Sequence, residues 1–385
     1  MKTKIKVCVV VASRANYGRV KYLLKAIKEN VDLELQIIVG ASLLIDRYGK
    51  AVNVIKEDGF VPNKEIYYIV EGENLLTQAK STGLGVIELS TALEQLDPDF
   101  VVSVADRYET MATAIASTYL NIPLIHIQGG EVSGNIDDRV RHAISKLADF
   151  HFVATEQSKV RLIKMGEMPS SVFNFGCPAM DVIAHAEKSI SNQDMSKYGG
   201  VGVDVDWERP YILMIQHPVT TSYGNGFYQV NETLKALKKF QEYQKIVLWP
   251  NSDAGGEDVS KGIRTFREKH MEDNFHFYKN FSAEDFIRVL NNAACAVGNS
   301  SSFLREGAFL GTPSVAVGDR QNKREHGKNV IFTDYDEANI IDCISKQLGH
   351  GKYESSDVFG IGNAGKLISN QILSLTPSLL KPITY

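Results

Sequence analysis

Short runs of apolar residues alternate with amphipathic segments along most of this 385-residue chain. The runs are rich in valine, isoleucine and phenylalanine, which is typical of strands buried in a parallel sheet, and the longer segments have helical periodicity. In the first half this pattern predicts strands at 5–12, 33–40, 66–70, 100–104, 123–127, 150–154 and 172–175. Helices are predicted between them, for example at 17–29, 86–95, 109–119 and 138–148.

The stretch 184–209 interrupts this alternation because it is polar, with paired glycines followed by acidic residues, and we place a linker there. Beyond it, strands are predicted at 211–215, 245–249, 275–278, 295–297, 313–317 and 329–332, and helices at 337–348 and 366–375. Alternating strands and helices predict an α/β protein with doubly wound parallel sheets. We therefore expect two Rossmann-like domains, 1–183 and 205–365, with a cleft between them.

The composition is that of a soluble globular protein, with 44% apolar and 23% charged residues. The net charge of −4 and the lack of lysine or arginine runs argue against a nucleic-acid partner. The first strand is predicted almost at the N-terminus, and apolar runs of membrane-spanning length are absent from the sequence. We therefore expect a cytoplasmic protein that has no membrane partner.

The cysteines Cys8, Cys177, Cys295 and Cys343 are far apart and form no Cys-x-x-Cys pair, so we expect buried, reduced thiols. Histidines and carboxylates do not occur at metal-ligand spacing, so we expect no metal. The first strand is followed by Ser-Arg-Ala-Asn-Tyr-Gly in place of the glycine fingerprint Gly-x-Gly-x-x-Gly. This substitution argues against a nicotinamide or flavin cofactor, and we expect the protein to use no cofactor.

Polar and charged residues follow most of the predicted strands. Ligands of doubly wound sheets bind beyond the carboxyl ends of the strands, so these positions are candidates for a site. Helix capping alone does not account for so many of them. The segments are Ser13-Arg14, Asp106-Arg107, 128–131, Gln216-His217, 250–253, 299–301 and Asp319-Arg320.

The segment 295–306 reads Cys-Ala-Val-Gly-Asn-Ser-Ser-Ser-Phe-Leu-Arg-Glu. A predicted strand stops at Gly298 and serines open a predicted helix, where free N–H groups and the helix dipole favour a phosphate or diphosphate. Glu306 could accept hydrogen bonds from sugar hydroxyls. An alternative is an ordinary serine N-cap on a packing helix. Arg14 supplies a cation at another strand end, with a surface ion pair as its alternative.

Carboxylates from several strand ends suggest acid–base chemistry, because proximity raises the pKa of at least one of them. The candidates are Asp106, Glu131 and the pair Asp137-Asp138. The alternatives are an ion pair between Asp106 and Arg107, and a helix N-cap at one residue of the Asp137-Asp138 pair. His217 precedes a proline that stops its strand, so we expect its imidazole to act in catalysis or phosphate binding.

In combination, these motifs resemble the hydrolysing UDP-N-acetylglucosamine 2-epimerases, in particular the branch that feeds sialic-acid and related nonulosonate synthesis. The resemblance runs over nearly the full length. Its motifs are Ser-Arg-Ala-Asn-Tyr-Gly from Ser13, Asp-Arg-Tyr-Glu from Asp106, the run from His126 to His142, Gln-His-Pro-Val-Thr-Thr from Gln216, Pro-Asn-Ser-Asp-Ala-Gly from Pro250, and Gly-Asn-Ser-Ser from Gly298.

The resemblance implies a GT-B-like fold in which the second domain holds UDP and the segment 366–385 crosses back to the first domain. It implies a UDP-sugar substrate, expulsion of UDP to form a glycal, and addition of water with inverted configuration at C2. A homo-oligomer, dimer or tetramer, is expected from relatives. Carried over residue by residue, catalytic roles fall on Asp106, Asp137 and His217, and nucleotide contacts fall on Arg14, Asn251, Ser300, Ser301, Glu306 and Arg320.

One position departs from the resemblance. Some members carry a catalytic glutamate where this chain has Gln128, which can form hydrogen bonds but cannot transfer a proton at neutral pH. Either Glu131 in the same loop takes that work, or the role is shared differently. Arg107 and Gln128 are then expected to contact substrate.

Three functions follow from these observations. The first is a hydrolysing 2-epimerase that makes N-acetylmannosamine and UDP from UDP-N-acetylglucosamine, or performs the same reaction on a UDP- or GDP-linked 2,4-diacetamido-2,4,6-trideoxyglucose. The second is a glycosyltransferase of the same fold, because fold alone does not fix function. The third is a nucleotide-sugar sensor without turnover.

Overall fold

The structure is a computed structural model that describes residues 4–46, 50–72, 75–133, 137–219, 222, 224–250, 256–270, 274–378 and 380–384. The chain forms two compact units. The first comprises Met1–Val132, Ile136–Ala184 and Phe359–Tyr385, and the second comprises Ser133–Asn135 and His185–Val358. The limits predicted above for separately folding domains stay predictions.

The first unit contains one parallel sheet. Its strands are β1 (Ile5–Val11), β2 (Leu33–Gly40), β3 (Lys64–Ile66), β4 (Phe100–Val104), β5 (Leu124–Ile127), β6 (Phe150–Val153) and β7 (Val172–Asn174). Within the described residues these seven strands have the order β3-β2-β1-β4-β5-β6-β7, and every pairing is parallel. Successive strands are therefore added on one side of β1 as far as β3, and on its other side from β4 onwards. Such sheets bind ligands at the point between β1 and β4 where the strand order reverses.

Helices connect these strands. They are α1 (Arg14–Glu29), α2 (Val52–Glu57), α3 (Leu75–Leu96), α4 (Tyr108–Tyr119), α5 (Asp137–Leu147), α6 (Glu156–Lys164) and α7 (Ala179–His185). Buried side chains of β1 alternate between two core clusters, with Val7 and Val9 in one and Cys8 and Val10 in the other. Both faces of the sheet are therefore covered, and each buried valine contributes roughly 1.5–3 kcal/mol relative to an exposed one.

The second unit contains a similar sheet with one antiparallel edge. Its strands are β8 (Val201–Gly202), β9 (Tyr211–Ile215), β10 (Gln244–Leu248), β11 (Phe275–Tyr278), β12 (Cys295–Gly298), β13 (Ser314–Val317) and β14 (Val330–Thr333). In the described part of this unit the order is β14-β13-β12-β9-β10-β11-β8, and β8 runs antiparallel to β11. In this sheet the strand order reverses between β9 and β12.

The helices of this unit are α8 (Asn192–Met195), α9 (Gly226–Lys238), α10 (Gly256–Lys269), α11 (Ala283–Asn292), α12 (Ser301–Leu304), α13 (Glu306–Leu310) and α14 (Glu337–His350). The core beside the sheet includes Val230 and Leu234 of α9, Ile263 of α10 and Ile344 of α14. These helices bury apolar faces against the sheet, as their sequence periodicity predicts.

A last helix, α15 (Ala364–Ile372), belongs to the first unit. Its first two backbone N–H groups, of Ala364 and Gly365, donate to the carboxylate oxygens of Asp181 at 2.9 and 2.7 Å. Ile368 and Ile372 join the core cluster that contains Val7. An acidic side chain therefore caps this helix, and apolar burial fixes it to the unit.

The predicted fold class, two Rossmann-like parallel-sheet domains, is confirmed, but some elements differ. The strand predicted at 66–70 lies instead at Lys64–Ile66, because its partner β2 ends at Gly40, opposite Ile66. The stretch assigned to a linker contains β8, and Trp207 within it is 5% exposed and packs against Tyr211. A two-residue strand is too short to have an apolar pattern.

The expectations about cysteines and membrane spans are also answered in part. All four cysteines are buried thiols, and burial raises the pKa of Cys8 to about 12. Across the part of the chain that the structure describes, every helix is too short or too polar to cross a bilayer.

Candidate active site

The ends of β1 and β4 are tied together by polar side chains. Ser13 caps α1, because its Oγ accepts a hydrogen bond from the Asn16 N–H at 3.2 Å. The Asn16 side-chain amide donates to the carbonyl of Val104, the last residue of β4, at 3.4 Å. The first turn of α1, which carries the exposed residue Arg14, is therefore fixed where the strand order of the first sheet reverses.

A buried arginine joins the predicted carboxylates of this unit. Arg141 on α5 is 1% exposed, and its guanidinium donates hydrogen bonds to the carboxylates of Asp106 and Asp138. The same guanidinium donates to the backbone carbonyl of Glu131 at 2.8 Å. One side chain thus connects the end of β4, the loop after β5 and the first turn of α5.

The charges around Arg141 stabilise its cationic form. Burial alone lowers the pKa of an arginine, but the nearby carboxylates of Asp106, Glu131 and Asp138 raise the pKa of Arg141 above its ordinary value. A buried cation of this kind holds its anionic partners in defined orientations. The geometry therefore fixes Asp106 at the carboxyl edge of the sheet.

Asp137 lies on the same side of α5 as Arg141. It is the first residue of this helix, is partly buried, and precedes Arg141 by four residues, so both side chains project from one helix face. Its neighbour Asp138, three residues before Arg141, forms the ion pair. Helix geometry therefore brings the carboxylate of Asp137 to the side of α5 where Arg141 holds Asp106.

Arg107 has a different acidic partner from the one the sequence left open. Its Nε lies 3.2 and 3.3 Å from the two carboxylate oxygens of Glu109, whose side chain is fully buried. Asp106 is paired with Arg141 instead of its neighbour Arg107. The two adjacent residues therefore point to separate partners, which a sequence neighbour relationship cannot indicate.

Two strained residues lie at the ends of adjacent strands. Ala105 after β4 and Gln128 after β5 have φ angles of +65° and +64°, a region that costs non-glycine residues energy and is enriched at functional sites. The ring of His126 lies beneath them, with Nε2 2.8 Å from the Ala105 carbonyl oxygen and Nδ1 3.1 Å from Ser145 Oγ.

The chemistry of these partners assigns the tautomer of His126. A carbonyl only accepts, so Nε2 carries the proton and Nδ1 accepts from the Ser145 hydroxyl. Burial lowers the pKa of His126 to about 3, so the ring is neutral at physiological pH. It acts as a fixed hydrogen-bond donor that holds Ala105, the residue before Asp106, in its strained conformation.

Gln128 is buried beside a thiol. It is 1% exposed, and its Nε2 donates to Sγ of Cys177 at 2.7 Å. Among the described residues its Oε1 has no hydrogen-bond partner. The loop continues through Gly130, which has a φ of +76° and at which a Cβ would lie 2.5 Å from the Ser158 carbonyl oxygen. Only glycine fits there, and Glu131, 5% exposed, follows directly.

In the second unit the predicted phosphate-binding residues lie where β9 and β12 end. Gly298 has a φ of +130°, and a Cβ at this position would lie 2.1 Å from the Ile215 carbonyl oxygen, so glycine is required. Ser300 follows as the N-cap of α12, and its hydroxyl accepts from the Ser302 N–H at 3.3 Å. Ser300 therefore caps α12, and its predicted contact with the nucleotide stays a prediction. Ser301 is partly exposed and opens the helix.

The helix predicted after these serines is not continuous. α12 ends at Leu304 and α13 begins at Glu306, and Arg305 between them has a ψ of −72°, away from the helical value of about −42°. A four-residue helix has a small dipole, so the argument for a phosphate here depends on backbone N–H groups and hydroxyls. Glu306 is partly buried at the start of α13.

His217 and Arg320 meet at one asparagine. The side chain of Asn299 accepts from the His217 N–H at 2.7 Å and donates to the His217 carbonyl at 2.9 Å. The backbone carbonyl of Asn299 accepts from Arg320 Nη1 at 3.2 Å. Asn251, the remaining predicted nucleotide contact, lies outside the described residues.

Comparison with known proteins places this geometry in a family. A family model described as UDP-N-acetylglucosamine 2-epimerase matches residues 25–373. The chain belongs to the UDP-N-acetylglucosamine 2-epimerase family. It is 35% identical to a UDP-N,N'-diacetylbacillosamine 2-epimerase (hydrolyzing) of Legionella pneumophila subsp. pneumophila, over 94% of this chain and 93% of that protein. It is 32% identical to a UDP-N-acetylglucosamine 2-epimerase of Neisseria meningitidis serogroup B, over 92% of this chain and 90% of that protein.

A solved structure of this epimerase family has the same fold. The crystal structure of a Neisseria meningitidis UDP-GlcNAc 2-epimerase bound to UDP-GlcNAc matches with a TM-score of 0.79 and 17% identity, over 96% of this chain and all of that chain. The prediction of a GT-B-like fold is thereby confirmed.

In this member of the epimerase family, some of the predicted site residues of each unit are joined by a single side chain. In the first unit, Arg141 joins Asp106 to the Glu131 backbone and to α5, which begins at Asp137. In the second unit, Asn299 joins His217 to Arg320. The catalytic and substrate-binding roles themselves stay predictions.

Sequence reasoning missed three side chains that hold these groups in place: Arg141, His126 and Asn299. A signal existed for Arg141, since a cation four residues after Asp137 on an amphipathic helix lies on the face of that carboxylate. His126 occupies an alternating strand position, where sequence favours a core residue. Asn299 follows a predicted strand directly, but its pairing with His217 spans 82 residues.

Proposed function

We propose that the protein is a hydrolysing 2-epimerase that converts UDP-N-acetylglucosamine and water to N-acetylmannosamine and UDP, for sialic-acid-type sugar synthesis. The observation that carries this proposal is the group of carboxylates around Arg141 at the carboxyl edge of the first sheet. The family match and the word "hydrolyzing" in the name of the Legionella relative support it.

In the first step UDP leaves and a glycal forms. A carboxylate removes the hydrogen at C2, the electron pair of that C–H bond forms the C1–C2 double bond, and the bond between C1 and the diphosphate oxygen breaks. Asp106 and Asp137 are the candidates for the base, because both lie at the carboxyl edge near Arg141.

In the second step water adds to the double bond. A carboxylate accepts a proton from the water, the oxygen bonds to C1, and an acid delivers a proton to the opposite face of C2. The free sugar then has the inverted configuration at C2. General acid–base catalysis of this kind typically contributes 10²–10⁴-fold. Some relatives carry a catalytic glutamate at the position of Gln128. Glu131 is the candidate for that acid–base role in this chain.

The second unit is proposed to bind UDP. Arg320 supplies a cation, Ser301 a hydroxyl and His217 an imidazole near the ends of β9, β12 and β13. Negative charge grows on the diphosphate as the C1–O bond breaks, and fixed donors of this kind stabilise it. Arg14, Arg107, Asn251, Ser300 and Glu306 are the further residues proposed to contact the nucleotide sugar.

A second substrate is favoured by one observation. The Legionella protein at 35% identity is named for UDP-N,N'-diacetylbacillosamine, whereas the Neisseria protein at 32% identity is named for UDP-N-acetylglucosamine. The same elimination and hydration can proceed on the UDP- or GDP-linked diacetamido sugar, because the reacting atoms are C1 and C2 in each. The sugar differs at C4 and C6.

The experiment incubates the purified protein separately with UDP-N-acetylglucosamine and with the UDP- and GDP-linked diacetamido sugars, and follows products by NMR in deuterium oxide and in H₂¹⁸O. We expect UDP and a free sugar with inverted C2, deuterium at C2 and ¹⁸O at C1. A UDP-linked epimer would indicate a non-hydrolysing epimerase. Transfer to an added sugar acceptor without epimerised free sugar would indicate a glycosyltransferase.

A matched pair of variants ties the products to the site. Asp137→Asn should abolish most product formation. Asp58 lies in the same unit but away from the carboxyl edge, and its carboxylate pairs with Lys21 at 2.8 Å. Asp58→Asn should therefore leave the products unchanged. Tight UDP binding without turnover of any donor would indicate a nucleotide-sugar sensor and would overturn the proposal.

Two expectations about the protein's surroundings stay predictions. A homo-oligomer is expected from relatives, and sedimentation velocity of the purified protein measures it. A cytoplasmic location is expected from the sequence, and fractionation of cells with an antibody to the protein measures it.

A further inference from the structure

Asn299 is a buried asparagine with an unusual set of partners. It is 1% exposed and directly follows the last residue of β12. Its side-chain oxygen accepts from the His217 N–H at 2.7 Å, and its side-chain nitrogen donates to the His217 carbonyl at 2.9 Å. One primary amide thus satisfies both backbone groups of a single residue, as a neighbouring strand does.

The backbone of Asn299 extends the same network. Its N–H donates to the Ile215 carbonyl at 3.1 Å. Its carbonyl accepts from Arg320 Nη1 at 3.2 Å and from Gln321 Nε2 at 3.0 Å. Asn299 therefore connects the chain after β9, β12 and β13, three adjacent strands of the second sheet.

Few side chains can make this connection. The bridge to His217 needs one donor and one acceptor held in a plane at a fixed spacing, which an amide supplies. An aspartate lacks the donor, and an alanine lacks both groups. Either replacement leaves at least one partly buried backbone group of His217 without its partner, and the chain there must shift to reach water or another group.

We propose that Asn299 is a positioning residue that holds His217 and Arg320 in the arrangement that binds the diphosphate of the nucleotide sugar. This inference rests on the proposed function of these residues as phosphate ligands. The direction in which the His217 side chain leaves the backbone depends on the φ and ψ angles of His217. Asn299 holds the N–H and the carbonyl of His217, and so holds these angles. Asn299 itself acts through His217 and Arg320.

The second unit contains a second buried amide that serves as a matched control. Gln347 is fully buried, its Nε2 donates to the carbonyls of Ser314 and Asn329 at 2.7 and 2.9 Å, and its Oε1 accepts from the Tyr353 hydroxyl at 2.8 Å. These partners lie at the amino ends of β13 and β14, opposite the edge that holds His217. A change of amide to carboxylate there disturbs a comparable network away from the proposed phosphate site.

The test compares wild-type protein with Asn299→Asp, Asn299→Ser and Gln347→Glu. UDP affinity is measured by calorimetry, thermal unfolding by circular dichroism, and the ring signals of the nine histidines by NMR, with His217 assigned from a His217→Gln sample. We expect Asn299→Asp to bind UDP about 10- to 100-fold more weakly, the effect of losing one hydrogen bond to a charged group. The His217 ring signal should shift in the absence of UDP.

The control separates positioning from general stability. Gln347→Glu should lower the unfolding temperature at least as much as Asn299→Asp but keep wild-type UDP affinity and an unshifted His217 signal. Asn299→Ser introduces no buried charge, so it should fold, and its side chain is too short to replace the bridge to His217, so it should also weaken UDP binding. Should Asn299→Asp fail to fold, the Asn299→Ser measurements decide alone.

Wild-type affinity in both Asn299 variants, or an equal loss in Gln347→Glu, overturns the inference. A wild-type protein that binds no UDP overturns the proposed function. The His217 ring signal tests the inference separately: a signal that is unshifted in both Asn299 variants shows that Asn299 does not hold His217, whatever the protein binds.

Discussion

Arg141 donates a hydrogen bond to the carboxylate of Asp106 across 35 residues of sequence. This bond ties the inner face of α5 to the end of β4, so the position of the helix and the orientation of Asp106 depend on each other. The guanidinium is planar and reaches Asp138 and the Glu131 carbonyl with its other nitrogen. A lysine carries all its donors on one nitrogen, so it cannot bind Asp106 through one nitrogen and Asp138 and the Glu131 carbonyl through another.

We therefore predict different results for two replacements of Arg141. Arg141→Met leaves two partly buried carboxylates without their cation and should destabilise the protein by at most about 3–5 kcal/mol, the cost of a fully buried unpaired charge. Arg141→Lys keeps the charge, so it should lose less stability but still lower turnover by about 10²-fold, because Asp106 is no longer held in place. Urea unfolding and kcat measure the two effects.

The control for this pair lies in the second unit. Arg288 is partly buried and pairs with Asp194 at 3.0 Å. Arg288→Lys should change neither stability nor turnover by a comparable amount. Equal turnover in Arg141→Lys and the wild type would contradict the positioning role of Arg141.

Asp137→Asn should retain substrate binding and lose turnover by roughly 10²–10⁴-fold, because the amide cannot transfer a proton. Asp138→Asn is the informative comparison, since Asp138 forms an ion pair with Arg141. It should lose stability more than Asp137→Asn does. Chemical unfolding and single-turnover kinetics measure both, and unchanged turnover in Asp137→Asn removes that residue from the mechanism.

Ser301→Ala should mainly weaken UDP affinity and leave the stability of the second unit nearly unchanged. Ser300 caps α12, so Ser300→Ala should lose about 0.5–2 kcal/mol of stability as well. Calorimetry with UDP and thermal unfolding compare the two. A pure effect of Ser301→Ala on rate, with affinity intact, contradicts its assignment to the phosphate.

Gln128→Glu should not raise turnover, although some relatives carry a glutamate there. The side chain is 1% exposed beside Cys177, so a carboxylate would be buried opposite a group that cannot neutralise it. We expect a loss of about 1–3 kcal/mol at pH 8. Burial raises the pKa of such a carboxyl, so the loss should shrink as the pH falls towards 5.

Thermal unfolding at both pH values measures this, and Cys177→Ser, which keeps a hydrogen-bond acceptor for Gln128, serves as the control. A gain in turnover by Gln128→Glu would instead show that this position can take part in catalysis. The acid–base role proposed for Glu131 would then be wrong.

The sequence was sufficient to predict the sheets because their information is local. Strands such as β1 and β9 are apolar on both faces, and covering helices carry matching apolar faces, so periodicity alone identifies them. Once the strands are identified, the residues that follow the carboxyl end of each strand are known as well. The sequence alone therefore predicts that Asp106, Glu131 and Asp137 lie at one edge.

The pairings at that edge could not be predicted, because they depend on distant residues. Whether Asp106 pairs with Arg107 or Arg141 is decided by how α5 packs, and the break at Arg305 by how α12 and α13 pack. The hydrogen bonds between Asn299 and His217 likewise depend on tertiary structure, because the two residues are 82 positions apart. Short elements such as β8 have too few residues for a pattern.

The last prediction concerns acid stability. Burial lowers the pKa of His126 from 6.5 to about 3, so between these values the unfolded chain binds a proton that the folded protein does not. Stability therefore rises with pH across this window and is lost as the pH falls below 6.5, at about 1.4 kcal/mol per pH unit for this residue. His126→Gln keeps a donor for the Ala105 carbonyl but does not titrate, so its stability should fall less steeply.

A second variant acts in a different window. Burial opposes charge on Glu167, but hydrogen bonds from His151, Lys146 and Lys381 lower the pKa of Glu167 from 4.5 to about 2. Its contribution is present above pH 4.5 and is lost as the pH falls to 2, so Glu167→Gln should flatten the profile in that window. Urea unfolding from pH 7 to pH 3 measures both slopes. An unchanged slope between pH 6.5 and pH 4.5 in His126→Gln would show that this histidine takes up a proton in the folded protein, and the neutral donor assigned to it beneath Ala105 would be wrong.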